Sequence, residues 1–221
     1  MSIEAGLLPP LFIYLLFAPA AVIMWQALRN INYAALKQLP TLQHVFYMAI
    51  LVMCILWSIR AGLSSGLGIH FLGLTATTLL MGWALAIIAG AFVCLAMSIL
   101  GLESYASFAV NFMVCVALPV FSSYLVLKLV QRNLPANPFV YIFLCGFFNG
   151  ALAILCVAIS TSLILGLLNV YEWETVYESY FMYVPLMLFP EAFVNGMIVA
   201  GVIGTKPELL SSFNVDEYFK D

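Results

Sequence analysis

Residues 72–100 read LGLTATTLLMGWALAIIAGAFVCLAMSIL, a stretch with no Asp, Glu, Lys or Arg. A helix crosses the hydrocarbon core of a bilayer with about 20 apolar residues, so this stretch belongs in lipid. As one straight helix it would run about 43 Å, longer than a single crossing accommodates without strong tilt. Gly82 and Gly90 interrupt it. Division at Gly82-Trp83 yields two segments, 69–83 and 84–101, of which the first is short enough to be re-entrant.

The rest of the chain agrees with a membrane setting. Of 221 residues, 65% are hydrophobic and only 8% charged, against about 25% charged in a soluble domain. Seven Lys/Arg and ten Asp/Glu cannot coat a soluble surface of this size. A net charge of −3 excludes a nucleic-acid partner, because no basic patch exists to neutralise phosphates. The cysteines Cys54, Cys94, Cys115, Cys145 and Cys156 all fall in apolar runs without a CxxC pair, which reads as helix packing. No Lys or Arg precedes the first apolar run, so that run is expected to stay in the mature protein as a span.

Apolar runs place spans at 9–28, 43–60, 69–83, 84–101, 105–127, 138–167 and 179–204. The fold class is therefore all-α, a polytopic bundle of about seven transmembrane helices forming one domain over 1–221, with membrane lipid around it. With the N-terminus outside and the C-terminus cytoplasmic, Arg29, Lys37, Lys128, Arg132, Lys206 and Lys220 lie inside, and only Arg60 outside. That bias is what the positive-inside rule demands. Treating 72–100 as one span would swap the later loops and remove it. Trp25, Tyr33, Trp57, Tyr124, Tyr171, Trp173 and Tyr177 fall near proposed ends, as an aromatic belt would. No repeat or low-complexity linker divides the chain.

Polar residues at membrane depth are costly and so carry the functional information. The stretch from Gly62 to Gly73 holds Ser64, Ser65 and His70 among several glycines, a composition that permits irregular backbone lining a cavity. An imidazole there suits a borderline metal ion or a polar ligand; the blander reading is an interfacial ring bonded to a nearby carbonyl. In the last span Glu191 and Asn195 share one helix face below Pro190. They read either as a cation or proton site or as a structural carboxyl bonded across helices. Asn111 and Asn149 read as interhelical hydrogen-bonding groups, and Thr75, Thr77 and Thr78 as hydroxyls bonded back to their own helix.

Gly62-Leu63-Ser64-Ser65-Gly66 matches Gly-x-Ser-x-Gly and raises an intramembrane serine hydrolase. That motif works on a strand-to-helix elbow with a base brought from elsewhere, and here His70 follows too closely while His44 falls near the opposite face. No phosphate-binding loop is present. The chain is expected to be no enzyme and to depend on another polypeptide for any ATP-driven work.

Two stretches then become specific. The opening Met1-Ser2-Ile3-Glu4-Ala5-Gly6-Leu7-Leu8-Pro9-Pro10 resembles the Met-His-Ile-Met-Glu-Gly-Phe-Leu-Pro-Pro start of the CbiM/NikM family. Those proteins are the substrate-binding permease components of energy-coupling-factor transporters for cobalt and nickel. His70, Gly73 and Gly82 resemble that family's loop-histidine segment in spacing, and Asn111 is a counterpart of its fifth-span asparagine. The likeness of 191–196 to the family's last helix is looser. The layout resembles the family along the whole chain, but only the first ten residues and the His70 segment are specific.

The resemblance implies a square-planar set of nitrogens around the ion: the terminal amine, the second residue's backbone nitrogen and imidazole, and the loop histidine. Carried onto this chain, His70 keeps its role and the Met1 amine with the Ser2 backbone nitrogen can keep theirs. Position 2 is Ser2, so one imidazole is missing, and Glu4 or Glu191 is a candidate replacement. A small residue at position 2 also favours removal of Met1, which would shift the amine to Ser2. The family's loop histidine before the fifth span is absent around Leu102-Glu103. The expected function is thus a substrate-binding permease subunit in the bacterial inner membrane, with Ni(II) or Co(II) as substrate and no covalent cofactor. A transmembrane coupling subunit and cytoplasmic ATPase subunits are the expected partners. The alternative is a diverged member without transport activity, acting in assembly or regulation.

Overall fold

The computed structural model describes residues 2–60 and 69–219. Among them, six helices are long and apolar enough to cross a membrane. In chain order the helices are α1 (Pro10–Asn30), the short α2 (Tyr33–Gln38), α3 (Pro40–Ser58), α4 (Leu74–Ile99), α5 (Tyr105–Asn133), α6 (Pro138–Leu167), α7 (Trp173–Ser179), α8 (Val184–Thr205) and α9 (Val215–Tyr218). Prolines open α1, α3 and α6, where the first turn needs no backbone donor. Helix α2 was not expected within 29–42; Asn32 makes it by capping the Ala35 N–H at 3.0 Å.

Helix α4 is the centre of the bundle. Two thirds of its most apolar window is buried (67%), against 17% in α1 and α3, which spread their apolar faces to lipid. It contains two of the expected segments, and their junction is where the sequence splits them. Gly82 sits at φ 80, ψ 165, a region open only to glycine. The chain turns back there. Gly73 lies against Met53 and Leu56 of α3, while Leu80 lines a pocket with Thr41 and Leu42 at the other end of that helix. Residues 74–81 thus run antiparallel to α3, from the last turns of that helix toward its N-terminal end. Residues beyond Gly82 then cross back, so that Glu103, just after α4, meets Arg60, just after α3.

The two ends of the bundle differ in charge. Asn30, Leu42, Gly82, Lys128 and Ser211 line one cavity of about 570 Å³, and Lys206 lies beside Thr41 and Leu80 at the same end. Arg29 stacks on Trp25 and Lys128 on Tyr124 at 5.2 and 5.3 Å, aliphatic stems along rings as at a bilayer interface. Helix α5 widens into a π turn over Phe112–Ala117. Pro119 follows directly; its ring cannot donate and crowds the carbonyl four residues earlier, which favours the wider turn.

Candidate substrate site

The site is built where the chain between α3 and α4 lies against α8. Residues 70–73 are not helical, so their backbone groups need partners, and buried side chains supply them. Leu72 N–H donates to Glu191 Oε2 at 2.9 Å and Gly73 N–H to Glu191 Oε1 at 2.8 Å. The Leu72 carbonyl accepts the Trp57 indole N–H at 3.1 Å, and the Gly73 carbonyl accepts the Thr77 hydroxyl at 2.9 Å. Ala76 N–H donates to Asn195 Oδ1 at 2.8 Å, while Asn195 Nδ2 donates back to Glu191 Oε1 at 2.8 Å. Gly73, at φ 68, supplies the left-handed turn that aims these amides at α8.

Glu191 is therefore an N-terminal cap delivered from another helix. Its carboxylate faces the positive end of residues 74–81 and takes the Leu72 and Gly73 amides that lead into them, while Asn195 takes the first-turn amide of Ala76. It is 1% exposed, and each of its oxygens accepts a backbone amide, which is the geometry of a carboxyl bonded across helices. The sequence placed Glu191 and Asn195 correctly on one face; what they face was not visible in it.

His70 is fully buried, at 0% exposure. Its Nδ1–H donates to the Phe71 carbonyl at 2.9 Å, the only role a carbonyl partner allows, which leaves the lone pair on Nε2. No group among the described residues meets that Nε2. The ring packs on Trp57 at 4.7 Å between centroids. An imidazole with one nitrogen fixed to a backbone carbonyl and the other without a hydrogen-bond partner among the described residues presents a lone pair of the kind with which histidine binds metal ions.

Trp57 connects this ring to the N-terminus. The Trp57 carbonyl accepts Arg60 Nε–H at 2.9 Å. Arg60 then donates to Ser2 Oγ at 2.9 Å, to the Leu102 carbonyl at 3.1 Å and to Glu103 Oε1 at 2.8 Å. Asn111 Oδ1 accepts the Ile3 N–H at 2.8 Å, and its amide donates to Glu103 Oε2 at 3.1 Å and to Ser107 Oγ at 3.3 Å. Ser2 and Ile3 are buried: the N-terminal segment is inserted into the bundle and tied there.

Of the sequence candidates, the structure brings Ser2, Asn111 and His70 into this one linked cluster. Glu4 is exposed and caps nothing with its side chain. Glu191 is committed to the amides of Leu72 and Gly73. Met1, Ser64 and Ser65, and with them the Gly62–Gly66 motif, lie outside the described residues. Thr77 and Thr78 bond back to the Gly73 and Leu74 carbonyls, but Thr75 pairs instead with Ser123 of α5 at 2.8 Å. It faces across the bundle rather than along its own helix. Arg60, Glu103 and Trp57 were missed as site residues. The signal was Arg60 itself, the single basic residue on the sparsely charged end.

The cobalt uptake substrate-specific transmembrane region, CbiM, matches residues 2–209. The chain belongs to the CbiM family. Two solved structures share its fold at 17% identity: one described as a transition metal transporter, with a TM-score of 0.79 over 92% of this chain and 93% of that one, and one described as a truncated transition metal transporter, with 0.78 over 92% and 99%. No curated protein matches the chain. Membership makes this a multi-pass membrane transport component.

Proposed function

We propose that the protein is the substrate-binding subunit of a transition-metal importer in the bacterial inner membrane, taking Ni(II) or Co(II) from an outward-facing N-terminal end. The observation that carries this reading is the buried Nε2 of His70, which has no hydrogen-bond partner among the described residues, linked through Trp57 and Arg60 to a tied-down N-terminal segment. Such a nitrogen is costly to bury without a partner, and a borderline divalent ion would supply one. The terminal amine and the Ser2 backbone nitrogen would complete three nitrogen donors, the fourth position being open where the family's imidazole is replaced by Ser2. Lacking any nucleotide-binding motif, the chain would be driven by a transmembrane coupling subunit and ATPase subunits of the energy-coupling-factor type.

Isothermal calorimetry on detergent-purified protein with Ni(II), Co(II) and Zn(II) tests it. One ion per chain in the wild type, lost in His70→Ala, is the expected result. No binding of any of the three ions would sink the metal assignment. The Ser2 hydroxyl held by Arg60 favours a second reading, a family member that has lost metal transport and serves in assembly or regulation. Copurification with a coupling subunit in the absence of metal binding would select it.

A further inference from the structure

Residues 74–81 form eight residues of helix, about 12 Å of rise. That is shorter than a helix sustains on its own, and it is held from outside at both ends. At the N-terminal end Glu191 and Asn195 take the amides of Leu72, Gly73 and Ala76. At the other end Gly82 leaves the last carbonyls without helical donors, and the segment after α8 supplies them. Ser211 N–H donates to the Leu80 carbonyl at 3.0 Å. The Leu79 carbonyl accepts from Ser212 Oγ at 2.9 Å and Ser211 Oγ at 3.4 Å. The two caps thus come from α8 and from the residues that leave it, so a single stretch of chain brackets the short helix.

The lower cap is itself anchored. Ser212 Oγ is paired with the Tyr141 hydroxyl, and the Ser212 carbonyl accepts Gln131 Nε2–H at 2.9 Å. Phe213 and Tyr218 stack at 4.3 Å and both set their faces against Tyr141. Ala76 and Leu79 of the short helix belong to this aromatic cluster rather than to the main core. Beside it lies the cavity of about 570 Å³ lined by Thr78, Gly82 and Ser211, which gives this corner room to move.

We infer that Ser211 and Ser212 are positioning residues for His70, acting through the rigid helix 74–81, so that the C-terminal segment at the basic end and the histidine beyond the opposite end of that helix move as one unit. A rod capped at both ends and too short to survive the loss of either transmits displacement rather than absorbing it. A partner that shifts residues 207–219 would thereby change the geometry of the His70 loop. The inference takes His70 as a substrate ligand from the proposed function, but the mechanical coupling does not depend on the metal.

Hydrogen exchange read by mass spectrometry on the full chain in detergent tests the coupling without metal. Ser211→Ala/Ser212→Ala removes both hydroxyls from the Leu79 carbonyl and leaves the backbone donor in place. We expect exchange of the Leu72, Gly73 and Ala76 amides to quicken about tenfold, with α1 and α3 unchanged. Thr205→Ala, which removes an exposed hydroxyl bonded within α8, should leave those three amides at the wild-type rate. Faster exchange confined to 207–219, with 69–76 unaffected, would overturn the inference. So would equal acceleration in the Thr205→Ala control. Calorimetry with Ni(II) on the same double variant should show weaker affinity at unchanged stoichiometry. If the wild type binds no Ni(II), the metal reading fails while the exchange result still decides the coupling.

Discussion

Glu191 and Gly73 are 118 residues apart in sequence and 2.8 Å apart in the structure, carboxylate oxygen to backbone nitrogen. The second oxygen meets the neighbouring Leu72 amide. The cap joins the last long helix to the loop that carries His70, and it explains how irregular backbone persists at membrane depth.

Removing that carboxylate should unseat the loop. Glu191→Ala orphans two buried N–H groups, each costing about 1–3 kcal/mol, so a loss of roughly 2–6 kcal/mol is expected. Glu191→Gln keeps one acceptor but turns an amide donor toward a donor, and should recover less than half. Thermal unfolding in detergent measures both. A variant as stable as wild type would show that water replaces the cap.

Gly82 allows a sharper test of the turn. At φ 80, ψ 165 a side chain is strained whatever the space, and the nearest atom to an added Cβ, Ser211 Oγ, is an uncrowded 3.9 Å away. Gly82→Ala should therefore cost about 1–3 kcal/mol from backbone strain alone. An unchanged unfolding midpoint would mean that the chain passes Gly82 in another conformation.

Arg60 holds the terminus. It is the group through which Trp57, Ser2, Leu102 and Glu103 meet, with Glu103 nearly buried and Arg60 partly so. Arg60→Ala leaves Glu103 only its contact with Asn111 and should cost about 1–3 kcal/mol. Arg60→Lys keeps the charge but cannot reproduce the planar fork. Both should expose residues 2–4 to an added aminopeptidase, with intact mass as the readout. Resistance equal to wild type would assign the anchoring to Asn111 and Ile3 alone.

How far the sequence carried this picture depends on which forces act locally. Hydropathy marked the chain as a bundle of apolar helices, and Gly82 marked the break inside α4, because span length and glycine conformation are properties of short stretches. Six helices among the described residues, not seven, are long enough to cross. His70 stood out because a polar group in an apolar chain is conspicuous. The role of Glu191 was undetermined, since a carboxylate at depth looks alike whether it binds a cation or caps a helix, and its partners lie more than a hundred residues away. Arg60 and Glu103 were overlooked for the same reason: each is ordinary in its own loop, and their pairing exists only once α3 and α4 end side by side.

The last prediction concerns position 2. The Ser2 hydroxyl accepts from Arg60, so the side chain at this position points into the cluster that also holds Asn111 and Glu103. An imidazole placed there would reach the same region and add a nitrogen donor of the type that divalent nickel and cobalt prefer. It would also lose or replace the Arg60 hydrogen bond, a cost of about 0.5–1.5 kcal/mol for a neutral acceptor. A metal–imidazole bond outweighs that: gaining such a donor should raise affinity at least as much as supporting interactions do, about 10–100-fold. Ser2→His is therefore expected to bind Ni(II) that much more tightly than wild type, with His70→Ala abolishing binding in both backgrounds. Were Ser2→His to bind no better, the terminus and His70 would not share an ion, and the bare nitrogen of His70 would belong to a different ligand.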